Sequence, residues 1–174
     1  MYKYVFSLVT LSFFLLSSTA YGEDNSTNSI CGMIATQSSP LNIRAKASND
    51  GKVLGHAAKG SAVLISKLVN EDWYQVTLDD GTIGYASTEY VLNAHEVDFP
   101  FCGLITTEST KLNVRSAMDV DSEVIASVLK GTVVRVLKDM GEWYKTLLSN
   151  GHIGYVSRAY VTYPTKLITN PSNN

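Results

Sequence analysis

Apolar residues along most of this chain recur at every second position. Leu41 and Ile43 alternate with Asn42 and Arg44 in "LNIR", and Leu112 and Val114 alternate with Asn113 and Arg115 in "LNVR". "SAVLISKL" and "TVVRVLKD" follow the same rule more loosely. Alternation of period two puts successive side chains on opposite faces of a β-strand, and the many Val, Ile and Thr residues suit strands. Turn residues interrupt the pattern at Asn49 to Gly51, Lys59-Gly60, Asp80-Gly81, Lys130-Gly131 and Asn150-Gly151. Asp-Gly and Asn-Gly each stand between an aromatic-led strand and a Gly-Tyr strand, which predicts β-hairpins closed by type I′ turns. No stretch has helical periodicity with caps, apart from a single turn expected at Ser87 to Tyr90 and again at Ser157 to Tyr160.

The pattern occurs twice. "CGMIATQSSPLNIR" through "GYASTEYVL" aligns with "CGLITTESTKLNVR" through "GYVSRAYVT" after one gap near Asp72, with about two positions in five identical. Two modules follow, at residues 31–92 and 102–162, joined by a short linker at 93–101. Several short antiparallel strands in about 60 residues imply a small, partly open barrel, because closure protects the sheet edges. The prediction is an all-β protein made of two small barrels in tandem. A core of that size is marginal alone, so docking of the copies or a covalent link is expected to contribute stability.

Residues 1–22 lie outside this pattern. Lys3, an apolar run from Val5, and small residues at Ala20 and Gly22 read as a secretory signal peptide; the run is shorter than the roughly 20 residues of a spanning helix. A flexible segment at 23–30 and a polar tail at 163–174 flank the modules. The expectation is an exported protein, periplasmic or secreted, without an integral membrane segment after cleavage.

The 174 residues carry 14 Lys and Arg against 16 Asp and Glu. With no basic cluster there is no electrostatic footprint for nucleic acid or anionic lipid. The two cysteines, Cys31 and Cys102, open their modules at matching positions. In an exported chain the default is a bridge between them, with free thiols or pairing to another chain as alternatives.

"LNIR" and "LNVR", "KG" before a Val-rich strand, "WY" opening the next strand, and "GxxGYxSxxYV" closing each copy together resemble the bacterial SH3 domain family (SH3b), in tandem. The resemblance covers about residues 31–92 and 102–162. It implies an SH3-like β-barrel of five to seven strands, used by exported cell-wall hydrolases and surface proteins as a targeting module for peptidoglycan. Against the eukaryotic SH3 pattern, Ser87 and Ser157 replace the groove proline, and Glu89 and Ala159 replace its asparagine; recognition of a proline-rich ligand is not expected.

Along "WYQVTL", Tyr74, Val76 and Leu78 share the core face, which leaves Trp73 among polar neighbours on the wetter face; Trp143 repeats this in the second copy. An indole there supplies stacking area at little entropic cost. The last tyrosines, Tyr90 and Tyr160, lean over the groove in this barrel type or plug its end. Arg44 and Arg115 either pair with a carboxylate or offer a fork to an acidic group, and Asn42 and Asn113 are expected to bond turn backbone. Gly81, Gly84, Gly151 and Gly154 read as backbone requirements. The candidate ligand-binding set is thus Trp73, Tyr90, Arg44, Trp143, Tyr160 and Arg115. No catalytic residue, metal site or cofactor is nominated: His56, His95 and His152 each occur once, without a partner in the other copy, and zinc-ligand spacing is absent. The expected function is non-catalytic binding of peptidoglycan or its peptide stems, with a protein-interaction adaptor, whose partner is a cell-envelope protein, as the alternative.

Overall fold

The structure is a computed structural model that describes residues 30–93 and 102–163. The expected signal peptide, most of the linker (with His95) and the tail beyond Tyr163 lie outside the described residues. In the first copy the strands are β1 (Ile30–Ile34), β2 (Leu41–Arg44), β3 (Val53–Ala57), β4 (Ala62–Asn70), β5 (Trp73–Thr77), β6 (Ile83–Ser87) and β7 (Val91–Asn93). The second repeats them as β8 (Cys102–Ile105), β9 (Lys111–Arg115), β10 (Val124–Leu129), β11 (Val133–Asp139), β12 (Trp143–Leu147), β13 (Ile153–Ser157) and β14 (Val161–Thr162). Each set forms one antiparallel sheet, in the orders β3-β2-β6-β5-β4-β1-β7 and β10-β9-β13-β12-β11-β8-β14. Single 3₁₀ turns at Thr88–Tyr90 and Arg158–Tyr160 stand where a lone turn was expected. The two predicted SH3-like barrels are present.

Each sheet encloses its own core. Ile34, Ile43, Val63, Val76 and Ala86 fill the first, and Ile105, Val114, Val134, Tyr144 and Val156 fill the second. The alternation that predicted the strands also sorts these residues inward, so the hydrophobic pattern fixes the strand register. Gly84 and Gly154 are glycine because strands cross there: a methyl group on them would meet the Arg44 carbonyl oxygen at 2.8 Å and the Arg115 carbonyl oxygen at 3.0 Å.

The hairpins form, but with another turn. The Leu78 carbonyl accepts from the Gly81 N–H at 3.0 Å, and the Leu78 N–H donates to the Thr82 carbonyl at 2.9 Å. Only glycines have positive φ among the described residues, +91° at Gly81 and +85° at Gly151. These are type I turns followed by a left-handed glycine, which close a three-residue loop, and not type I′ turns. Asp80 and Asn150 stay in right-handed backbone, with their side-chain oxygens accepting from the N–H two residues on, at 2.8 and 2.9 Å.

The copies meet across an approximate two-fold relationship. Cys31 and Cys102 form a disulfide with Cα atoms 6.4 Å apart, within a small apolar cluster that includes Ala62 and Val133. The Ala58 N–H donates to the Ser149 carbonyl at 2.7 Å, and its repeat partner Leu129 donates to the Asp79 carbonyl at 2.9 Å. Asp79 is itself the repeat partner of Ser149, and its carboxylate accepts from the Ser149 N–H at 2.8 Å and from the Ser149 hydroxyl. Such reciprocal contacts are the signature of an isologous interface. Arg135 breaks the symmetry, donating from one Nη1 to the Gly60 carbonyl at 2.8 Å and to Met33 Sδ; the first copy has Leu64 in its place.

Candidate functional site

Two clefts, one on each barrel, are lined by repeat-equivalent residues. The first, about 510 Å³, has Leu41, Asn42, Arg44, Trp73, Ser87 and Tyr90 in its walls. The second, about 700 Å³, has Leu112, Asn113, Arg115, Trp143, Ser157 and Tyr160. All six residues singled out in the sequence therefore line these clefts, three in each.

Local chemistry explains each placement. Trp73 and Trp143 open β5 and β12 directly after the tight turns at 71–72 and 141–142, on the strand face opposite Val76 and Thr146. The face assignment holds, but its wetness does not. Trp73 is only 8% exposed, so little of its ring is open to a ligand; Trp143 is half-buried. Tyr90 and Tyr160, 36% and 42% exposed, end the 3₁₀ turns and lean over the clefts.

Among the described residues, Arg44 and Arg115 meet no carboxylate. Arg44 Nη1 donates to the Gly51 carbonyl at 2.9 Å, and Arg115 Nη1 donates to the Ser122 carbonyl at 2.7 Å. Each arginine thus holds the loop that borders its cleft, with the rest of the guanidinium in the cleft wall. The expected bonds from Asn42 and Asn113 to turn backbone are not formed: neither side-chain amide bonds a described residue, and both line a cleft.

The clefts differ in charge. Glu89 beside Tyr90 accepts from its phenol and raises its pKa, chiefly through that hydrogen bond; Ala159 removes this partner from the second copy. Glu108, Lys111, Asp119 and Glu142 join Arg115 in the second cleft, whereas the first has Glu89 beside Arg44, with neutral Gln37, Ser38 and Ser39. Arg158, which differs between the copies, faces away from ligand duty: it pairs with Asp139 at 2.7 Å and lies over the Tyr144 ring at 5.5 Å.

Sequence reasoning missed Thr36 and Thr107, buried cleft residues just beyond the ends of β1 and β8. Their presence at the same position in both copies was the available signal. Among the described residues no group of three or more His, Cys, Asp or Glu could hold a metal ion, no helix is long and apolar enough to cross a membrane, and His56 and His152 are exposed.

Comparison with known proteins adds three findings. Residues 39–91 and 110–162 each match the bacterial SH3 domain. A curated relative is YrvJ of Bacillus subtilis (strain 168), whose name provisionally assigns it N-acetylmuramoyl-L-alanine amidase activity; it is 24% identical over 153 residues, covering 81% of this chain and 29% of YrvJ. The chain thus spans under a third of that relative. Among solved structures, NlpC2 and NlpC1 from Trichomonas vaginalis align with TM-scores of 0.34 and 0.33 at 17% identity, over 83% and 93% of this chain and 52% and 54% of theirs.

Proposed function

This chain belongs to the bacterial SH3 domain family, through two copies in tandem, and on that premise we propose that it is an exported, non-catalytic protein that binds cell-wall peptidoglycan or its peptide stems. The observation that carries the reading is the pair of equivalent clefts, each with an indole, a tyrosine on the rim, an arginine and an unbonded asparagine amide. Aromatic rings give contact area, and amide and guanidinium donors give orientation, which is the composition of a shallow site for a polar polymer. The relative named for an amidase of N-acetylmuramoyl-L-alanine bonds supports the same ligand. The disulfide supports an oxidising compartment, and pairing removes both cysteines as nucleophiles. Two clefts fixed on one body raise avidity if both engage the same polymer.

Co-sedimentation with purified sacculi tests this. The parent protein is retained, and the fourfold variant Trp73→Phe, Trp143→Phe, Tyr90→Ala, Tyr160→Ala is not. A parent protein left in the supernatant refutes the function; equal retention of the variant refutes the site.

A further inference from the structure

The two clefts are not equivalent at their bases. Thr107 and its neighbour Ser109 share a hydrogen bond between hydroxyls at 3.1 Å, and the Ser109 hydroxyl also donates to the Lys111 carbonyl at 2.7 Å. That chain satisfies the second copy's buried threonine. The first copy has Thr36, Ser38 and Pro40 at the same places, yet Thr36 Oγ1 has no hydrogen-bond partner although the residue is only 8% exposed. Protein interiors seldom leave a hydroxyl in that condition, because it has lost its water without gaining a replacement.

Thr36 lies in the wall of the first cleft, together with the unbonded amide of Asn42 and Trp73. We infer that the first cleft is a subsite for an uncharged secondary amide, with Thr36 Oγ1 and the Asn42 amide supplying its donor and acceptor. Thr36 Oγ1 is itself buried, so its use by a ligand requires Thr36 to turn about χ1, after which the hydroxyl can both donate and accept. A secondary amide offers one N–H and one carbonyl in a plane, a donor and an acceptor to match that pair. The first cleft carries one charge of each sign, Arg44 and Glu89, whereas three carboxylates, Glu108, Asp119 and Glu142, outnumber Lys111 and Arg115 around the second, so a group without net charge suits the first. The same chemistry belongs to an N-acetylated amino sugar and to a peptide bond. This assignment rests on the proposed wall-binding reading for its biological ligand, but not for its test.

The chain has two tryptophans, one in each cleft, so their two indole N–H resonances report the clefts separately. Titrating the full chain with N,N′-diacetylchitobiose and with N-acetyl-trialanine methylamide is expected to move the Trp73 resonance saturably with at least one of them. A response to the sugar alone or the peptide alone identifies the source. Thr36→Val is expected to weaken that binding about fivefold or more, the loss of one neutral hydrogen bond, while Thr36→Ser keeps it within about twofold. Thr36→Val also melts no lower than the parent, since it removes an unpaired hydroxyl, whereas Thr107→Val melts lower. The inference is overturned if neither probe moves the Trp73 resonance, if the deacetylated disaccharide binds as well as the acetylated one, or if Thr36→Val binds like the parent. Retention of the parent on sacculi alongside any of these leaves the wall-binding function standing and removes only this subsite.

Discussion

Asp79 and Ser149 hold the same place in their two repeats and bond to each other across the junction, the carboxylate of one accepting from both the N–H and the hydroxyl of the other. A pair of turn residues that alignment sets side by side is also side by side in space. The turns that close each barrel therefore also join the barrels.

The Asp79 carboxyl has a raised pKa, chiefly because burial desolvates its charge; the Ser149 bonds oppose that, and Asp80 adds to it. The folded chain thus holds this proton more tightly than the unfolded chain does. Between the ordinary carboxyl value of 3.8 and the raised one, the folded state binds more protons, so this group's contribution to stability falls as pH rises. Asp79→Asn keeps the shape without the charge. Its melting temperature relative to the parent is expected to rise from pH 3 toward neutrality and then level off, and thermal melts across that range check it.

Joining residues 71 apart, the Cys31–Cys102 bridge restricts the unfolded chain by about 4 kcal/mol on loop-closure entropy. The double variant Cys31→Ala, Cys102→Ala is expected to lose a stability of that order in denaturant titration, and a reducing agent should no longer affect it. Its barrels should still form, since neither core cluster includes a cysteine; far-ultraviolet circular dichroism like the parent's checks this.

Trp73 is more structural than its sequence position advertises. At 8% exposure its truncation to alanine opens a cavity and is expected to cost about 3–5 kcal/mol, whereas the half-buried Trp143 should cost distinctly less. Unfolding of the two single variants compares them. For that reason binding is better tested with phenylalanine than with alanine at these positions.

Much of this was legible in the residues themselves. Period-two patterning and paired turn signals give the strands, because burying one face of a sheet leaves few other registers. The repeated Trp, Tyr and Arg positions brought together the two clefts, since equivalent residues on equivalent strands must converge twice. Turn type was not legible: Asp-Gly fits both type I′ and a type I turn with a left-handed glycine, and the second form goes with the side-chain bonds that Asp80 and Asn150 accept from the N–H two residues on. Nor was the bonding of Arg44, Arg115 and Asn42, because it depends on where the loop carbonyls of Gly51 and Ser122 come to lie. The unpaired state of Thr36 against the paired state of Thr107 is a matter of loop geometry, invisible in two copies of the same letter.

The central claim is that both clefts bind wall material. It is tested most directly by following the two indole N–H resonances as soluble peptidoglycan fragments, released by enzymatic digestion of sacculi, are added to the disulfide-bonded chain. The account predicts that both the Trp73 and the Trp143 resonances shift saturably with the fragments. Binding of the fragments with either resonance unmoved, or no binding at all, contradicts it.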